Sequence, residues 1–229
     1  MFTVEQRDRV QRALTERAER DARVVSAAMV GSEANGTADR WSDVDLTFAI
    51  SDEASLDNVL ADWTRALDEE LDAPWLFDVW TGPTVYRVFL LPGNLQVDLS
   101  FTPIARFGPT SPRFRLLFGE IREDRVREPM SRLAETPREQ FGLCVLYLVR
   151  TRLYVERGDL GHAQQYLGLA SELVDGAPSP PMSATHSALL NGMRETLTFL
   201  LREPGGGRDL ALRLEPQLRE LTAERLDSQ

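Results

Sequence analysis

Two aspartates one residue apart, Asp43 and Asp45, stand at the start of the apolar stretch Val44-Asp45-Leu46-Thr47-Phe48-Ala49-Ile50. In an extended strand, residues i and i+2 project to the same face. Asp43, Asp45 and Thr47 therefore share one face, and Val44, Leu46, Phe48 and Ile50 share the other. The apolar face suits packing against helices. The polar face sets two carboxylates side by side, which repel each other until a positive charge sits between them. Hard oxygen donors with no His or Cys nearby favour Mg²⁺ over zinc. Upstream, a second apolar run ends at Met29-Val30 and leads into Gly31-Ser32, and a polar loop from Glu33 to Ser42 connects this pair to the aspartates.

Gly31-Ser32, the loop and Asp43-Val44-Asp45-Leu46 together resemble the signature of the DNA-polymerase-β-like nucleotidyltransferase superfamily. In that superfamily a Gly-Ser pair is followed across a loop by Asp-x-Asp on a strand. Gly36 and Ser42 also fall where such proteins often have small residues. The resemblance implies a third carboxylate on a later strand. In Leu95-Gln96-Val97-Asp98-Leu99-Ser100-Phe101 the apolar residues alternate with Gln96, Asp98 and Ser100, so Asp98 projects from the polar face of a half-buried strand. Asp78, in Leu76-Phe77-Asp78-Val79-Trp80, is the rival position. Asp98 is preferred for its cleaner alternation and for the two strands that precede it.

The resemblance gives each residue a task. Backbone N–H groups at Gly31 and Ser32, placed at a strand-to-helix turn, would attract phosphate through free donors and the helix dipole. Glycine lets the backbone approach closely, and the Ser32 hydroxyl can donate to a phosphate oxygen. Asp43 and Asp45 would hold Mg²⁺ bridging the triphosphate of ATP. Asp98 would share a second Mg²⁺ or accept the proton of the attacking hydroxyl. The reaction implied is in-line transfer of AMP to a hydroxyl group with release of pyrophosphate. Arg40, in the loop, is a candidate for neutralising the triphosphate, as are Arg113, Arg115, Arg122 and Arg125.

A chain of 229 residues, 42% hydrophobic and 27% charged, is of ordinary globular composition. No apolar run approaches a membrane span, and the charged amphipathic N-terminus is unlike a secretion signal; the expected location is cytoplasmic. All 26 basic residues are arginine, which excludes lysine-based chemistry. The net charge of −10 argues against a nucleic-acid surface and is more compatible with a small or cationic acceptor, whereas a nucleoside triphosphate and a small hydroxylated acceptor as partners are what the resemblance implies. Cys144 lies in an apolar helical run and reads as a small buried hydrophobe. His162 and His186 have no partner at metal-ligand spacing.

The elements that must position these groups follow from period and punctuation. Thr3-Val4-Glu5-Gln6 is a capping box opening a helix to about Arg20, with Val10, Ala13, Leu14 and Ala18 on one face. Strands are expected near 23–30, 43–50, 75–80, 85–91 and 95–102, with a helix over 53–71. Residues 103–112 read as a loop over the site. Thr136-Pro137-Arg138-Glu139 starts a helix running to Gly158, and three more are expected over 160–174, 183–202 and 209–225. The predicted fold is an α/β (α+β) nucleotidyltransferase domain with a mixed sheet over residues 1–128, followed by an all-α, substrate-binding helical bundle over 129–229. That order is similar to the aminoglycoside and lincosamide nucleotidyltransferases. The similarity implies an aminoglycoside-like acceptor and roles for acids such as Glu139 or Glu156, with Tyr147, Tyr154 and Tyr166 packing in the bundle. The competing readings are adenylylation of protein or RNA, and a non-catalytic or antitoxin-type interaction module.

Overall fold

The computed structural model describes residues 1–122, 128–178 and 185–223; Arg125 lies outside the described residues. The chain divides into two compact units, Met1–Leu133 and Ala134–Gln229.

The first unit opens with helix α1 (Val4–Arg20), closed at its start by the expected box. The Gln6 amide donates to Thr3 Oγ1 at 3.2 Å, and the Thr3 amide donates to Gln6 Oε1 at 2.8 Å. Its inward face is Arg7, Leu14 and Ala18, whereas Ala13 is exposed. Strand β1 (Val24–Val30) runs into a single helical turn, α2 (Gly31–Ala34), and a loop leads to β2 (Val44–Ile50). Helix α3 (Leu56–Leu71) begins at Leu56 rather than Glu53 because the Ser55 side chain caps it. A hairpin of β3 (Trp75–Thr81) and β4 (Thr84–Leu91) precedes β5 (Leu95–Pro103). Two short edge strands, β6 (Phe114–Phe118) and β7 (Met130–Leu133), complete the sheet. Both lie in stretches that carry no clear alternation in sequence; pairing with β1 and β3 makes them strands.

The order across the sheet is β6-β1-β2-β5-β4-β3-β7. Neighbours are antiparallel except β2 and β5, which are parallel, so the sheet is mixed. One face packs on α1 and α3. Phe48, Trp63 and Phe101 form its aromatic centre, with ring centroids 4.8 to 5.6 Å apart, joined by Leu14, Leu46 and Leu67. This is the face expected for Val44, Leu46, Phe48 and Ile50. On the opposite face, Phe107 packs on Ala28 and Ala49, so the segment after β5 covers the end of the sheet beyond Thr47.

In the second unit, helix α4 (Pro137–Arg157) packs against α5 (Leu160–Glu172), α6 (His186–Arg202) and α7 (Arg208–Leu221). It is buried nearly all round, as a central bundle helix must be. Thr136 and Glu139 form the predicted capping box, and Gly158 ends the helix in the left-handed conformation at φ 76°. Arg152, buried within α4, donates to the carbonyls of Leu221 (3.3 Å) and Ala223 (2.9 Å), while Arg194 on α6 donates to the Thr222 carbonyl (2.9 Å). Two cations thus close the C-terminal end of α7, where carbonyls have no intrahelical partner. Tyr154 stacks on Tyr166 at 5.4 Å and Tyr147 approaches Tyr166 at 5.9 Å, so these rings pack on one another. Cys144 is buried, and burial pushes its thiol up to about 12. No helix among the described residues is long and apolar enough to cross a membrane.

Asp21, just past α1, accepts from the Arg23 guanidinium at 2.9 Å and from Trp63 Nε1 at 3.0 Å, tying the helix end to the aromatic centre. The Arg23 hydrogen bonds hold its carboxyl down at about 2, against the cost of burial. A depressed folded-state value stabilises the fold above the ordinary aspartate range, near pH 4, and that contribution is lost as pH falls to about 2. Urea denaturation at pH 7, 4 and 2 should therefore show Asp21→Asn less stable than the parent at pH 7, with the gap closing at pH 2. A gap that persists at pH 2 would contradict this origin.

Candidate functional site

The carboxylates converge because of one ladder. β2 and β5 run parallel with Asp45 opposite Asp98 and Thr47 opposite Ser100. Registered residues on parallel neighbours face the same way, so the alternation on each strand places Asp45 and Asp98 side by side. Asp43 immediately precedes β2 and joins them. One oxygen from each of Asp43, Asp45 and Asp98 lies within 4.8 Å of the others, and all three residues are half-buried. Three carboxylates this close could hold a hard divalent cation, and oxygen-only ligands suit Mg²⁺. The residues present therefore fit the ion that the sequence implied.

The Gly-Ser turn closes over the same point. Gly31 adopts φ +72°, and a Cβ placed there would stand 2.1 Å from Asp45 Oδ2. Glycine is required twice over: for its backbone conformation and for the carboxylate lying against it. Ser32 follows, half-buried, on the helical turn. Because α2 is one turn long, the dipole expected from sequence is that of a single turn, and individual donors must provide most of any pull on an anion.

The loop to Asp43 is internally braced. Asp39 Oδ1 accepts from the Trp41 amide (2.9 Å) and the Ser42 hydroxyl (3.0 Å), and the Asp39 amide donates to Ser42 Oγ (2.9 Å). From α1, the buried Arg7 donates to the Asp39 carbonyl at 2.8 Å and stands 3.5 Å from Glu33 on α2. Arg7 was not singled out from sequence. Its signal is present: it sits on the inward face of α1 with Leu14 and Ala18, an arginine where an apolar residue is expected.

The remaining candidates are placed as follows. Asp78, the rival third carboxylate, is engaged on β3 by Arg87, with contacts of 2.6 and 2.8 Å, and by Trp75 Nε1 at 3.0 Å. Arg40 is exposed and stacks on the Trp41 ring at 4.0 Å. Arg113 and Arg115 are exposed at β6, and exposed Arg122 stands 3.7 Å from Glu120. In the second unit, the Glu139 carboxylate accepts from the Thr136 amide and hydroxyl, and Glu156 pairs with Arg152 at 2.6 Å. Both acids thus have structural partners within the bundle.

Unequal responses are expected from the two β-strand acids in urea unfolding. Asp78→Ala leaves the Arg87 charge buried and should cost about 3 kcal/mol or more. Asp98→Ala relieves repulsion among like charges but strands the Gln96 amide that donates to it, and should cost less than Asp78→Ala. Equal losses would contradict the view that charge repulsion at Asp98 offsets its hydrogen bonds. Gly31→Ala should lower stability by about 1–3 kcal/mol through its φ alone, and should weaken Mn²⁺ binding by displacing Asp45. Unchanged binding by a folded Gly31→Ala protein would refute the close-approach argument.

Comparison with known proteins adds one finding of weight. Residues 10–92 match the family model described as "Nucleotidyltransferase domain". The match takes in the Gly-Ser turn, Asp43 and Asp45 and ends before Asp98. Among solved structures, the chain is similar to an aminoglycoside 6-adenyltransferase from Bacillus subtilis, with 11% identity over 91% of this chain and 75% of that one and a TM-score of 0.27. It is similar also to the CdnE cyclic dinucleotide synthase of Elizabethkingia meningoseptica, with 16% identity over 86% and 77% and a TM-score of 0.29. Superpositions this loose say nothing about substrate. No curated protein matches the chain.

Proposed function

We propose that the chain, whose residues 10–92 match a nucleotidyltransferase domain model, transfers AMP from Mg²⁺-ATP to a hydroxyl of a small, cationic acceptor of aminoglycoside type. The domain match supports nucleotidyl transfer as the reaction class; the donor, the metal and the acceptor are the finer part of the proposal. The observation that carries it is the convergence of Asp43, Asp45 and Asp98 beside Gly31.

Asp43, Asp45 and Asp98 would hold the ion. When bound, Mg²⁺ neutralises the triphosphate and stabilises the charge that develops on the departing oxygens. The chain's own groups do the positioning. Gly31 allows the backbone close to the phosphates, and the Ser32 hydroxyl donates to one of their oxygens. Asp98 acts either as a further ligand or as the base that accepts the acceptor's hydroxyl proton. In the balanced reaction the acceptor oxygen bonds to the α-phosphorus, the bond from that phosphorus to the bridging oxygen breaks, and pyrophosphate leaves. Fixing these partners in line accounts for most of the rate enhancement, since little covalent work falls to the protein.

Two features support the acceptor class. The net charge of −10 raises the local concentration of cations and disfavours RNA. A helical unit follows the catalytic one, in the order seen in the antibiotic nucleotidyltransferases that the sequence resembles. The second domain, residues 129–229 in the sequence reading, is accordingly proposed to bind the acceptor, and the protein to work in the cytoplasm.

Pyrophosphate release from Mg²⁺-ATP, measured with and without pooled aminoglycosides and lincosamides, tests this directly. Acceptor-dependent release is expected, and Asp45→Ala should lower it by about 100- to 1,000-fold, the scale on which a preorganised charge partner contributes. Release that ignores these acceptors but responds to RNA or protein would overturn the acceptor. A folded chain that binds ATP and releases nothing would favour a binding module.

A further inference from the structure

Gln96 lies two residues before Asp98 on β5, so both project from the same sheet face. It is 3% exposed, and its Nε2 stands 2.8 Å from each carboxylate oxygen of Asp98. One amide donor shared between both oxygens holds the plane of that carboxylate in a single orientation. The other end of the amide is unusual: Gln96 Oε1 is buried and accepts no hydrogen bond. Buried amides nearly always have partners at both ends. The amide is thus kept in place by its donor end, which is committed to Asp98.

We propose that Gln96 is the positioning residue of the carboxylate cluster. Its Nε2, 2.8 Å from both oxygens of Asp98, fixes that carboxylate beside Asp43 and Asp45. Without Gln96, repulsion from Asp43 and Asp45 would rotate Asp98 away, and the ion would lose its third ligand before any nucleotide is present. Partners that orient a metal ligand in this way typically change affinity by about 10- to 100-fold when removed. This inference rests on the reading of the three carboxylates as a divalent-cation site.

The test is Mn²⁺ binding to the full chain without nucleotide, followed by the paramagnetic resonance signal of the free ion. The parent, Asp45→Ala, Gln96→Met and Gln96→Leu are compared, and circular dichroism and thermal melting report the fold of each. The parent should bind, Asp45→Ala should not, and Gln96→Met should bind about tenfold more weakly while remaining folded. In the pyrophosphate assay, the same variant should lower kcat with little change in KM for the acceptor. Folded Gln96→Met that binds Mn²⁺ as tightly as the parent overturns the inference and leaves the cation site standing. A parent that binds no Mn²⁺ removes the cation site and the inference together. If neither Gln96→Met nor Gln96→Leu folds, Gln96 is a structural residue and the inference is overturned.

Discussion

Everything about the site follows from β2 and β5 lying parallel with Asp45 opposite Asp98. Adjacent strands are about 4.8 Å apart, so this register forces two carboxylates into contact range, and Asp43 adds a third. Three like charges so close work against the fold. The opposing force comes from the reverse side of the same strands, where Phe48 and Phe101 enclose Trp63 with no exposed surface. Alternation makes the two faces inseparable: a one-residue slip that relieved the repulsion would also turn the aromatic centre out to water. Hydrophobic burial thus locks in an arrangement that electrostatics alone would reject.

The turn and loop that complete the site are held by short-range devices. Gly31 tolerates both a left-handed backbone and a carboxylate against its α-carbon. Asp39 wraps the loop around its own side chain, and Arg7 fastens that loop to α1. The arginine is a costly way to fill the inward face of a helix, but its guanidinium meets a carbonyl that would otherwise need another donor. The N-terminal helix therefore bears on the site through the loop that leads to Asp43.

The second unit uses several of its charged groups internally. Glu139 closes the start of α4, and Glu156 holds Arg152 against the end of α7. Helix ends buried in a bundle require such partners, because their free N–H and C=O groups cannot reach water. Attraction of a cationic acceptor would then fall to the excess of negative charge on the whole chain more than to these two acids.

Much of this was legible in the residues themselves. Periodicity and caps placed α1, β1, β2, β3, β4, β5 and α4 to within a few residues, because each carries its own alternation or its own start and stop signals. Gly31, Asp43, Asp45 and Asp98 could be picked out because glycine at a turn and acids on an apolar strand are locally incongruous. The choice of Asp98 over Asp78 rested on its cleaner alternation and on the two strands that precede it, as the resemblance implies. It was the tertiary structure that gave Asp78 an ion pair with Arg87 and set Asp98 opposite Asp45. The edge strands β6 and β7, the partners of the buried Arg7 and the amide of Gln96 on Asp98 were legible only in three dimensions. Strand pairing, the partner of a buried charge and the register of parallel neighbours depend on residues far apart in the chain, and a local pattern carries no record of which distant segment will lie beside it.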